Sequence, residues 1–179
     1  FFFKQKTAYE LADGDWSSDV CSSDLYGLIK TDSRNEYQCV DFGVVRTPAG
    51  LEDQERLKIL FEELSALINK FQPGSSAVEK LFFQKNVRTA ISVGQARGVA
   101  MLTLAQAGLP VREYTPNEIK QTVCGYGNAG KRQIQRMVQT LLNLNDLPKP
   151  DDAADALAVA ICHINHQSFN NRIQQAGDA

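Results

Sequence analysis

The residues from Ser76 to Ala100 constrain the fold more than any other stretch of the chain. Ser76-Ala77-Val78-Glu79 reads as a short β-run, a polar loop with adjacent Phe82 and Phe83 follows, and a helical pattern sets in near Arg88. Glu79 stands where strand patterning calls for another apolar side chain. A carboxylate in a strand otherwise fit for burial needs a cation to meet it. Farther on, Asp151-Asp152-Ala153-Ala154-Asp155 opens an Ala-rich helix with more acids. An acid closing a strand and two acids three apart on a helix together suggest a divalent-metal site.

A chain of 179 residues is long enough to bury the core of one domain. No apolar run is long enough to span a bilayer, so no membrane partner is expected. The formal net charge of −2 neither marks nor excludes a nucleic-acid binder, because phosphate binding depends on where basic residues cluster. Cys21, Cys39, Cys124 and Cys162 show no C-x-x-C spacing. Free, mostly buried thiols in a reducing cytoplasm are therefore expected, and zinc ligation with His163 and His166 is not.

Residues 1–25 stand apart: they have no assignable periodicity and repeat Ser-Ser-Asp. They lack the basic start and apolar core of a signal peptide and closely resemble the translation of sequencing-adapter read-through. A foreign leader is expected here, with a disordered tail as the plainer alternative. The expected domain spans 26–166, followed by a frayed tail over 167–179.

Within that domain, Tyr26–Lys30 and Gln38–Arg46 read as an antiparallel hairpin. Leu51–Phe71 is the clearest helix, with Leu57, Leu60, Phe61, Leu64, Leu67 and Ile68 on one stripe. The strand ending at Glu79 follows, then a helix over Thr89–Ala107 whose Gly94, Ala96 and Gly98 leave room for close approach by a sheet or a partner. Val111–Tyr114 is a further strand, Pro116 suits the first turn of a helix, Lys131–Leu144 is amphipathic, and a last helix runs from Pro150 to about His166. The alternation indicates an α/β domain with a mixed sheet.

From Tyr26 to His163 the chain resembles the RuvC family of Holliday-junction resolvases, within the ribonuclease-H-like superfamily. The resemblance is carried by Asp41-Phe42-Gly43-Val44-Val45-Arg46-Thr47, Val78 to Asn86, Gly94-Gln95-Ala96-Arg97-Gly98, Val123-Cys124-Gly125-Tyr126-Gly127 and Asp152 to Ala158. It implies a ribonuclease-H-like mixed sheet flanked by helices, and a homodimeric, Mg²⁺-dependent endonuclease that makes paired symmetric nicks in four-way DNA junctions during recombination and repair. It also implies two Mg²⁺ ions per site, with Mn²⁺ as a substitute, and a branch-migration motor as partner. The family uses four carboxylates. Glu79 matches the one in the central strand, and Asp152 and Asp155 match the two on the last helix. The first belongs to a G-x-D-P-G segment in the first strand, for which this chain has no counterpart, so that strand is expected to be missing or replaced and the chain to be short of one ligand.

Each of these residues also has an ordinary reading. The acids at 151, 152 and 155 suit a helix N-terminus, and Glu79 suits an ion pair with Lys80, Lys85 or Arg97. By the resemblance, Phe82 takes the junction-stacking position, with Phe83 beside it; either is otherwise core or lid packing. Lys120 and Lys131 match basic positions near the scissile phosphate, and Arg88, Arg97, Arg132 and Arg136 are candidates for a phosphate-binding surface. Three functions follow: a junction endonuclease, a junction-binding dimer that does not cut, and a ribonuclease-H-like nuclease with another nucleic-acid substrate.

Overall fold

The computed structural model describes residues 2–5, 23–32, 36–48, 50–80 and 87–177. Five strands form one sheet: β1 (Phe2–Gln5), β2 (Ser23–Thr31), β3 (Tyr37–Arg46), β4 (Ser76–Glu79) and β5 (Val111–Tyr114). Their order is β3-β2-β1-β4-β5. β1 is central, antiparallel to β2 and parallel to β4, and β4 is parallel to β5. The central position is therefore filled by Phe2–Gln5, and β2 opens at Ser23, both inside the stretch expected to be a foreign leader. Four residues without alternation carry too little pattern to be seen as a strand; pairing on both sides holds them in the sheet.

Helices cover the two faces: α1 (Asp53–Phe71), α2 (Val87–Gln106), α3 (Pro116–Cys124), α4 (Lys131–Leu141) and α5 (Ala153–Gly177). Strand alternation sorts the core between these faces. Val78 packs with Leu60, Leu64, Ile68, Ala96, Ala100 and Leu104 on the α1–α2 side. Ala77 and Tyr114 pack with Leu157, Ile161, Ile134 and Val138 on the α3–α4–α5 side. The predicted stripe of α1 thus faces the sheet through Leu60, Leu64 and Ile68, while Phe61 lies at its exposed margin.

α5 is the central helix of its face and is buried continuously from Ala153 to His163. Alanines let it lie close to the sheet: a Cβ built on Gly27 of β2 would stand 3.1 Å from the main chain of Ala156 and Leu157. The helix continues past His166 to Gly177, since neither Gly nor Pro interrupts the Gln- and Asn-rich segment. Among the described residues no helix is long and apolar enough to cross a membrane.

Candidate junction-processing site

Glu79 closes β4. Its face follows from alternation: it shares the side of Ala77, which packs in the α5 cluster. Across that face, Asp152 immediately precedes α5 and Asp155 lies in its first turn, each only 9% exposed. The turn is fixed by main-chain bonds from Ala153 N to Pro150 O (2.8 Å) and from Asp155 N to Asp152 O (3.1 Å). Lys131, at the start of α4, donates its ammonium to the Asp152 carboxylate. A half-exposed cation on a nearly buried acid supplies the counter-charge that burial of that acid requires.

Among the described residues, no three His, Cys, Asp or Glu side chains gather closely enough to hold a metal ion. Glu79, Asp152 and Asp155 lie on adjoining elements but do not form such a cluster, and acids without a cation between them repel. The central strand adds no acid. Phe2 and Phe3 pair with Ala77 and Val78, so one step along both strands Lys4 comes level with Glu79. Where the resemblance calls for the first-strand carboxylate, β1 reads Phe-Phe-Lys-Gln. Among the described residues, these acids do not by themselves fit a pair of divalent ions.

The basic candidates divide. Lys120 is half-buried on α3, whose start is fixed by a capping box: Glu118 N donates to Thr115 Oγ1 (3.2 Å), and Thr115 N donates to the Glu118 carboxylate (2.7 Å). The bond from Thr115 N, with a second from the Thr115 hydroxyl (2.7 Å), holds the Glu118 carboxyl below its usual range. Arg132 and Arg136 are exposed on α4. Arg97 points inward, its guanidinium bridging the Glu79 main-chain oxygen and the Glu113 carboxylate. Its geometry differs from that expected of a surface phosphate contact. The backbone of Arg88 lies in α2, its side chain outside the described residues, and Phe82 and Phe83 also fall outside them.

Between β4, β5 and α5 runs a polar chain that the sequence did not reveal. His163, only 1% exposed, joins Tyr114 OH through Nδ1 (3.0 Å) and Ser75 Oγ through Nε2 (3.1 Å). Burial pushes the His163 imidazole down to about 4 and the Tyr114 phenol up to about 12, so the ring is neutral and each nitrogen has one partner. Cys162 is buried, whereas Cys39 and Cys124 are half-buried free thiols.

The fold has counterparts among solved structures. Thermus thermophilus RuvC superposes with a TM-score of 0.76 at 25% identity, covering 94% of this chain and 95% of that one. The structure of T. thermophilus RuvC in complex with Holliday junction substrate gives 0.77 at 24% identity, covering 94% of each chain. The fold is thus that of the ribonuclease-H-like nucleases. The family model for crossover junction endodeoxyribonuclease RuvC matches residues 18–163. A crossover junction endodeoxyribonuclease RuvC from Halothermothrix orenii is 54% identical over 147 residues, 82% of this chain and 88% of the relative. One from Chloroflexus aggregans is 56% identical over 138 residues, 77% and 84% respectively. The chain belongs to the RuvC family.

Proposed function

We propose that this chain recognises four-way DNA junctions as a homodimer through the surface around Glu79, Asp152 and Lys131, and that in its present form it binds them without cutting. Family membership supports the substrate. The observation that carries the second half is the central strand β1, whose Phe2 and Phe3 pair with Ala77 and Val78 beside Glu79 and whose Phe-Phe-Lys-Gln sequence has no acid. The family's reaction is taken to be Mg²⁺-dependent phosphodiester hydrolysis, in which two ions would activate water and stabilise the leaving oxygen. Glu79, Asp152 and Asp155 are the acids of this chain assigned to hold those ions. Without a first-strand acid the set is incomplete.

The remaining roles belong to the chain's own side chains. Lys131 and Lys120 bind phosphate, Phe82 stacks on an unpaired base with Phe83 beside it, and Arg88, Arg132 and Arg136 extend the basic surface. Lys131, half-exposed beside Asp152, presents its ammonium to DNA phosphate. For the dimer, α2 offers exposed Ile91 and Leu102, with open space at Gly94 and Gly98. Placing these on one stripe of α2 gives a surface that a second copy can approach closely. Twofold symmetry then sets two equivalent sites against the two related strands of a junction, the arrangement that paired symmetric nicks require. The motor that migrates the branch is the partner this role implies.

Gel shifts with a four-way junction, a linear duplex and an RNA–DNA hybrid test the proposal. The expected result is preferential junction binding that weakens steeply with salt, with no product in Mg²⁺ or Mn²⁺. Symmetric paired nicks by the unmodified chain would show that three carboxylates suffice. Equal or tighter binding of the hybrid would favour a different ribonuclease-H-like nuclease.

A further inference from the structure

We infer that Arg97 is a positioning residue for the end of β4: it fixes the main chain of Glu79 from α2 and so ties the helix assigned to the dimer contact to the acid in the site. The inference rests on the proposed role of Glu79. Arg97 Nη1 donates to the Glu79 main-chain oxygen at 2.7 Å, and Nη2 lies 3.0 Å from Glu113 Oε1 on β5. From the other direction, Lys80 N donates to Tyr114 O at 2.7 Å. The peptide unit following Glu79 is thereby held at both its oxygen and its nitrogen, where β4 leaves the sheet.

The chemistry suits arginine. Its planar fork can serve a main-chain oxygen and a carboxylate together, which a lysine ammonium on a flexible stem does less well. Glu113 neutralises the guanidinium, allowing it to remain only 16% exposed. At 100° per residue, Arg97 lies beside the buried stripe of Ala96, Ala100 and Leu104, and the Ile91–Gly94–Gly98–Leu102 stripe faces the other way. One helix can thus meet a second copy on one side and hold Glu79 from the other. A shift of α2 in the dimer would pass directly to the backbone of the acid.

The test uses the full, isotopically labelled chain and the variants Arg97→Gln, Arg97→Lys and Glu113→Gln. In Arg97→Gln the Glu79 carbonyl ¹³C signal should move and the Lys80 amide should exchange about tenfold faster or more, as expected for losing a charge-assisted bond. Exchange at Leu60 and Leu64 of α1 should stay unchanged, and so should junction affinity and its salt slope. Arg97→Lys should bring the Glu79 signal partly back. Glu113→Gln, which leaves the guanidinium in place, should move the same signals less. If Arg97→Gln instead weakens junction binding and lowers the salt slope by about one with the Glu79 signal unmoved, Arg97 is a phosphate contact and the inference fails. Uniformly faster exchange throughout the chain would overturn it too. Failure of the unmodified chain to bind junctions would count against the proposed function, and the Glu79 and Lys80 signals would still decide the role of Arg97.

Discussion

Gly27→Ala probes how closely α5 must approach the sheet to place its acids. The added Cβ would lie 3.1 Å from Ala156 C, Leu157 N and Leu157 Cδ2. Two of these atoms are helix backbone and cannot rotate aside, so α5 must move by a few tenths of an ångström or the strand must bend. Overpacking of this kind costs about 1–3 kcal/mol. Alanine also restricts the unfolded chain, which returns about 0.4–1 kcal/mol. The net loss is about 0–2.6 kcal/mol, lowering the Tm by up to roughly 10 °C for a domain of this size. Gly74→Ala is the control, because a Cβ there meets nothing within 4 Å, and its Tm should hold or rise slightly. Thermal unfolding followed by circular dichroism at fixed protein concentration reads both. Equal melting temperatures for the two variants would refute the tight approach of α5 to β2, and with it the placement of Asp152 and Asp155 against the sheet.

Three further outcomes are expected. His163 has its imidazole lowered from 6.5 to about 4, first by burial, so below pH 6.5 the unfolded chain binds more protons than the folded one. Stability contributed by the neutral ring is then complete above about pH 6.5 and falls as the pH drops toward 4, by on the order of 3 kcal/mol; His163→Gln should flatten that part of a denaturant-midpoint-against-pH curve, and an unchanged curve would count against the buried neutral ring. Lys131→Met should weaken junction binding and lower the salt slope by about one, with a stability loss of about 1–3 kcal/mol because the Asp152 carboxylate beside it is nearly buried; wild-type binding and slope would remove it from the DNA surface. Leu102→Glu, on the exposed stripe of α2, should convert a dimer into a monomer in sedimentation velocity, and a dimer that survives would place the interface elsewhere.

Much of the architecture was legible because burial here follows local period. The α1 stripe at Leu60, Leu64 and Ile68 and the strands at Ser76–Glu79 and Val111–Tyr114 stand where patterning puts them. β1 was not legible: Phe2–Gln5 is too short to alternate and takes its state from the neighbours it pairs with. The end of α5 was misjudged because its Gln and Asn residues suggest fraying, while nothing in them stops a helix already anchored by eleven buried positions from Ala153 to His163. The site divides in the same way. Family motifs point to Glu79, Asp152, Asp155 and Lys131, yet only tertiary packing reveals that Arg97 turns toward Glu79 and Glu113, or that Tyr114, His163 and Ser75 form a buried chain.

The most direct measurement compares the unmodified chain with Lys4→Asp on a labelled four-way junction in Mg²⁺. Both proteins should shift the junction, and only Lys4→Asp should release symmetric, paired nicks that Glu79→Gln or Asp152→Asn in the same background abolishes without loss of binding. A Lys4→Asp chain that folds and binds the junction but still does not cut would contradict the claim that a single acid beside Glu79 separates this chain from an active site.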